Sequence, residues 1–335
     1  MNDTDTVASA WRQISDFDAN SGWVEASRSE ERSRWACEQL EAGEILYFGF
    51  IPFDFPHADR DFLLEQRQGN SRIHKNLSYR PTQDVLRGGA TESQEDAARL
   101  HRILRHFSAE TTRFLTCVLA PYARYWSLDY ASYRPLEEQG RDLALTKRND
   151  LLHVDAFPTR PTRGGRILRC FTNINPERSR NWLTTSRFPQ LAEQYARLAG
   201  LDEIARSGQS FSLPGFFQRV LGLKAANRSA YDKFMLRFHD YLKENSDFQN
   251  DCPKIHLAFP PMTTWMCFTD SVPHAVLSGQ FALEQTFIIP IGALVTPEKS
   301  PLRILEKLAG RPLAGADAAT VVDPNLGNKI RARAS

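Results

Sequence analysis

The sequence predicts a mainly β fold with flanking helices, of the α+β class, and three observations carry that expectation. After Pro121 short apolar runs follow one another, each bounded by Pro, Gly or Asn. The runs form two blocks around a helical insert, which fits an antiparallel sandwich or barrel better than a parallel sheet with alternating helices. Neither GxGxxG nor GxxxxGK[ST] occurs, so the usual nucleotide-binding signatures are missing.

The elements follow in order. The first hundred residues mix a helical SEERSRWACEQLEAG, a strand-like EILYFGFI and a polar, basic loop, RQGNSRIHKNLSYRP. From about 93 to 119 the spacing of Ala98, Leu100, Ile103, Leu104, Phe107, Phe114 and Leu115 is helical and stops before Pro121, which predicts one long amphipathic helix. Three β-like stretches come next: ARYWSLDYASYRP, LALTKRNDLLHVDAF and GGRILRCFTNINP. Helical patterns cover about 188 to 206 and 228 to 246. Strand patterns return in PKIHLAF, TTWMCFTD, HAVLSG and ALEQTFIIPIG, and a short helical SPLRILEKLAG opens the tail. The expected organisation is a mixed region over 1–120, a β core over 121–297 carrying the helical insert at about 188–246, and a tail over 298–335.

Composition narrows the function. With 335 residues, 41% hydrophobic and 24% charged, the chain can bury a sizeable core. A net charge of +2 is too mild to argue for nucleic acid. No apolar run approaches the roughly 18 residues of a membrane span, and MNDTDTVASAWRQ lacks the basic-then-apolar pattern of a signal peptide, so a cytoplasmic location is expected. The five cysteines are scattered without a CxxC pair and read as reduced, mostly core residues.

Chemistry concentrates in LLHVDAFPTRPTRGGRILRCFT, residues 151 to 172. Residues two apart on a strand share a face, so His153 and Asp155 present an imidazole and a carboxylate together. A second histidine would complete the two-histidine, one-carboxylate triad that leaves positions open on non-haem Fe(II) for a bidentate cosubstrate and O2. The pair alone is weak: chance supplies roughly half an HxD in such a chain, and His57-Ala58-Asp59 is another. That second pair follows FDFP and precedes RDFLLEQ, which reads as a helix N-terminus. His274, in TDSVPHAVLSG, is the favoured third ligand. His239 lies in a helical pattern and suits surface or satisfied core, and His256, in KIHLAF, suits a buried structural histidine.

Arg169 interrupts the apolar run ILRCF. A buried guanidinium needs an acidic partner, either inside the fold, as an ion pair, or on a ligand carboxylate. Arg134, in ASYRP, is a second candidate and Arg166 a third, although Arg166 follows Gly164-Gly165 and reads as loop.

LLHVDAFPTRPTRGGRILRCFTNINP and TWMCFTDSVPHAVLSGQFALEQTF resemble the Fe(II)- and 2-oxoglutarate-dependent dioxygenases, and more narrowly the Kdo hydroxylase family, over about residues 40 to 295. The resemblance implies a double-stranded β-helix (jelly roll) with Fe(II) held by His153, Asp155 and His274. It further implies hydroxylation of the Kdo sugar of lipid A at carbon 3, with 2-oxoglutarate and O2 converted to succinate and CO2, and with ascorbate as a supporting reductant. Many members of the wider superfamily carry a basic residue about ten positions after the last histidine, but FALEQTFII has none. Arg169, with Arg134, is therefore the expected clamp on 2-oxoglutarate. Lys75, Asn76, Tyr79, Arg160 and Arg163 are expected to meet the anionic sugar, and a lipid-borne substrate raises the expectation of peripheral contact with the inner membrane. Two alternatives stand beside this reading: a related dioxygenase acting on another small molecule or a protein side chain, and a non-catalytic metal-binding β-barrel.

Overall fold

The computed structural model describes residues 11–66, 77–88, 93–140, 142–207 and 228–315. Its strands in chain order are β1 (Trp11–Gln13), β2 (Phe17–Asp18), β3 (Gly22–Trp23), β4 (Ile45–Phe48), β5 (Leu77–Arg80), β6 (Val85–Arg87), β7 (Ser127–Arg134), β8 (Arg166–Asn173), β9 (Arg180–Thr184), β10 (Ile255–Phe259), β11 (Thr263–Phe268), β12 (His274–Ser278) and β13 (Ala282–Ile289). Eight form a large sheet in the order β1-β4-β11-β8-β13-β7-β5-β6, open at both edges, and β10-β9-β12 form a smaller one. All pairings are antiparallel except β1 with β4.

The two sequence blocks interleave. In the large sheet β11 and β13, from after the helical insert, alternate with β8 and β7 from before it. In the smaller sheet β9 lies between β10 and β12, and the segment around His153 adds a fourth member through a single antiparallel bridge to His274. Eight segments thus wind back and forth between two facing sheets, which is the expected jelly roll.

Side-chain alternation divides the interior. On β8, Leu168 and Cys170 face the helices Ser29–Glu41 and Gln94–Val118, where they join Leu46, Leu104, Phe107, Phe114, Met266 and Leu283. Phe171 faces the smaller sheet instead and packs with Trp182, Trp265, Phe259 and Val276. The stacking there is close, with Phe259 over Trp265 at 3.9 Å. A third cluster holds the insert and tail helices together through Phe188, Leu191, Phe234, Phe238, Leu302 and Leu305, and reaches Val154 beside the site.

The long helix spans Gln94–Val118; Ser93 caps it by accepting from the Asp96 amide at 2.9 Å, with Glu95 and Asp96 in the first turn. His57 and Asp59 do begin a helix, His57–Glu65. Three expectations need correction. The pattern over 188 to 206 is two helices, Phe188–Tyr195 and Leu201–Ser207, because Gly200 takes a left-handed backbone between them. LALTKRNDLLHVDAF is not a strand but a short 3-10 turn, Leu145–Lys147, followed by the His153 bridge. Arg166 is not in a loop: it starts β8, fully buried, with Nε 2.8 Å from Asp270 Oδ2 and an NH group 2.6 Å from Ser271 Oγ. Of the cysteines, Cys37, Cys170 and Cys267 are buried, whereas Cys117 is exposed. No helix among the described residues is long and apolar enough to cross a membrane.

Candidate metal centre

His153, Asp155 and His274 are all buried and meet between the two sheets, with one donor atom from each lying within 4.8 Å of the others. The backbone enforces this meeting. His153 N donates to His274 O at 3.1 Å, His274 N returns to His153 O at 2.9 Å, and Asp155 N donates to Thr269 O at 2.8 Å. The two imidazoles are thereby fixed with centroids 4.7 Å apart.

Neighbouring carbonyls fix the tautomers. His153 Nδ1 lies 2.7 Å from Leu151 O, and His274 Nδ1 lies 2.9 Å from Val272 O, so each Nδ1 carries the proton and each Nε2 keeps its lone pair. Burial and the neighbouring His274 push His153 well below the ordinary histidine range, and burial lowers His274 as well. For Asp155, burial alone would raise the pKa, but Arg169 and the two imidazoles hold it well below the carboxylate range. Two neutral Nε2 atoms and one carboxylate within reach of one another are the donor set a divalent first-row ion takes. Asp155 Oδ2 accepts no hydrogen bond among the described residues. The residues present fit a bound Fe(II).

Around this triad lies a set of buried charges. Arg169 Nε is 3.2 Å from Asp155 Oδ2, and its NH1 donates to Glu284 Oε1 at 3.2 Å. Arg134 Nε donates to Glu284 Oε2 at 2.9 Å, and its NH1 lies 3.7 Å from Glu138. Sequence reasoning missed a third guanidinium: Arg180, on β9, donates from NH1 to Gly279 O at 2.9 Å and lies 3.8 Å from Glu138. Burial and the adjacent Arg134 lower Arg180 to about 10, while its buried Nε has no hydrogen-bond partner among the described residues. Arg134, Arg169, Arg180 and Glu284, with Asn149, Phe171 and Trp182, line a small cavity of about 30 Å³ against the triad. Arg134, Arg169 and Arg180 offset Asp155, Glu138 and Glu284, so a divalent cation leaves a surplus of two positive charges. A dianion balances it.

His239 stands behind the triad as a satisfied core histidine, its Nδ1 2.9 Å from Val154 O and its ring edge-on to His153 at 4.9 Å. His256, expected to be buried, instead faces solvent on β10. Among the expected substrate contacts, Arg160 lines a second small cavity beside Asp155, with Phe157 and Asp270, and lies 3.9 Å over Tyr130 and 4.4 Å over Phe157 with an NH group 3.1 Å from Asp129. Arg163 is exposed on the loop before β8 and lines neither cavity next to Asp155. Tyr79 is not brought to the site either: it is buried on the helix-facing side of β5, bonded through its hydroxyl to Asp84 at 2.9 Å. Lys75 and Asn76 lie outside the described residues.

Comparison with known proteins gives a consistent result. The model of the 3-deoxy-D-manno-oct-2-ulosonic acid (Kdo) hydroxylase family matches residues 23–312. A solved structure of the Kdo hydroxylase KdoO, a non-heme Fe(II) alphaketoglutarate dependent dioxygenase, in complex with alphaketoglutarate and Fe(III), is 32% identical. That match covers 90% of this chain and 97% of the other, at a TM-score of 0.75. The apo KdoO structure is 33% identical over the same shares, at 0.76. The complex with succinate and Fe(III) is 32% identical over 92% and 98%, also at 0.76. No curated protein sequence matches the chain.

Proposed function

The chain belongs to the Kdo hydroxylase family, and on that premise we propose that its buried His-Asp-His centre hydroxylates carbon 3 of the Kdo sugar borne on lipid A. His153, Asp155 and His274 would hold Fe(II), and Arg169, Arg134 and Arg180 would hold 2-oxoglutarate. The charge count carries this reading: the three guanidiniums and three carboxylates cancel, so a bound divalent ion would add two positive charges that the 2-oxoglutarate dianion balances.

When bound, iron would let O2 act as the oxidant with 2-oxoglutarate as co-reductant: one oxygen atom would pass to succinate as CO2 leaves, and the other into a substrate C–H bond. The chain's own residues do the rest. The Leu151 and Val272 carbonyls orient both imidazoles, and Arg169 keeps Asp155 ionised. Trp182, stacked on His274 at 5.2 Å, and Phe171 help keep water from the cavity. Arg160, ordered over Tyr130 and Phe157, suits an anionic sugar. Working on a lipid-borne sugar, a cytoplasmic enzyme would act at the inner membrane surface.

Anaerobic reconstitution tests the centre. Fe(II) and 2-oxoglutarate added together should give a weak visible charge-transfer band that neither gives alone. A folded protein that takes up no iron, or that shows no band with iron bound, would rule the centre out.

A further inference from the structure

On the site-facing side of the large sheet, cations and rings alternate outward from the metal site. Arg169, 3.2 Å from the Asp155 carboxylate, has its guanidinium carbon 5.7 Å from the Phe157 ring centre. Arg160 lies over the same Phe157 at 4.4 Å and over Tyr130 at 3.9 Å. Arg80 lies over Tyr130 in turn, at 4.9 Å.

Register explains why Arg80 takes part and Tyr79 does not. Ser78 pairs with Ser132 and Tyr79 with Ala131 across β5 and β7. Tyr79 and Ala131 therefore point to the helix-facing core, where both are buried, and the next position directs Arg80 toward Tyr130 on the site-facing side.

The outer two guanidiniums share one ring but no carboxylate. Asp129 pairs with Arg160 at 3.1 Å, whereas among the described residues no carboxylate pairs with Arg80, and its buried Nε has no hydrogen-bond partner. A solvated lysine or arginine face would leave such side chains free to turn. Here the tyrosine ring orients both forks, and the surplus positive charge lies on the side of the large sheet that fronts the iron ligands of the smaller one.

We propose that Arg80, held with Arg160 on Tyr130, is the specificity-determining residue that receives the carboxylate of the sugar acid. This rests on the hydroxylase reading above. A planar guanidinium matches a carboxylate in two parallel hydrogen bonds, and the ring prepays the ordering of its long side chain.

Calorimetry on the full chain, loaded anaerobically with Fe(II) and 2-oxoglutarate, tests the assignment with the methyl glycoside of Kdo and with the same glycoside carrying a carboxamide. The native protein should bind the acid at least tenfold more tightly than the amide. Arg80→Gln should weaken acid binding tenfold or more and leave the amide and 2-oxoglutarate unaffected, and Arg80→Lys should recover part of the loss. Unchanged 2-oxoglutarate binding shows that the variants are folded. Equal binding of acid and amide, equal binding of the acid by the native protein and Arg80→Gln, or no binding of the glycoside overturns the assignment. So does a defect confined to the lipid-borne substrate, which would mean that Arg80 meets a lipid A phosphate. Arg80-dependent acid binding without oxygen insertion would refute the hydroxylase reading and leave this assignment standing. Oxygen insertion with an indifferent Arg80→Gln would do the reverse.

Discussion

Arg169→Leu separates the two roles that a buried arginine could have here. Arg169 touches two acids at 3.2 Å each, and all three side chains are mostly buried. At an effective dielectric of about 20, each contact is worth on the order of 5 kcal/mol of bare Coulomb attraction, most of it cancelled by desolvation. Glu284 keeps Arg134 at 2.9 Å after the change, but Asp155 is left without its main counter-charge. Orphaning one buried carboxylate should destabilise the metal-free protein by about 3 kcal/mol. If Arg169 also grips 2-oxoglutarate, a charge-assisted pair of about 1.5–3 kcal/mol is lost, weakening the cosubstrate by roughly 10- to 100-fold. Denaturant titration reads the first quantity, and anaerobic titration of the Fe(II)-loaded protein with 2-oxoglutarate reads the second. A stability loss with unchanged 2-oxoglutarate affinity would refute the clamp and leave Arg169 a structural ion-pair partner.

His153→Ala, Asp155→Ala or His274→Ala should abolish tight Fe(II) uptake and turnover, as read by metal analysis and succinate release; His57→Ala should change neither, because His57 is exposed at the start of its own helix. Gly279 has φ +126°, and a Cβ there would lie 3.0 Å from Arg180 Cα. Gly279→Ala should therefore cost about 1–3 kcal/mol in strain and raise the KM for 2-oxoglutarate by displacing Arg180, with iron affinity retained. Acidification gives a further check. Burial depresses His153, His239 and His274 in the folded protein, so below about pH 6.5 the unfolded chain binds more protons. Their stabilising contribution is complete above that pH and is lost as the pH falls through the depressed values. The melting temperature of the metal-free protein should drop across that interval, and the drop should shrink in His239→Gln if that variant folds.

Much of the centre was legible because strand geometry is periodic. HxD placed two donors on one face, HAVLSG began a strand with a third, and an arginine inside ILRCF had to find an acid. What the residues alone left open was the partner of that arginine. The structure gives it Asp155 and Glu284, and Glu284 sits in FALEQTFII, the stretch noted above for its lack of a basic residue. Arg180 was not legible: RNWLT is a short strand framed by polar residues, and nothing local marks its first arginine as buried. Tyr79 and Arg80 show how fine the margin is, since one position of register decides which enters the core and which faces the site. The His153 segment misled for a related reason. It has the composition of a strand but makes only one bridge, which is enough to join its histidine to His274.

The central claim is that these residues direct one oxygen atom from O2 into the Kdo sugar. Incubation of the native protein with Kdo-bearing lipid A, Fe(II), 2-oxoglutarate and ¹⁸O₂, followed by mass spectrometry, measures this directly. The account predicts one ¹⁸O atom on the Kdo residue, formed in step with succinate and missing in His153→Ala. Succinate released with no oxygen gained by the sugar, or a label found on the lipid instead, would contradict it.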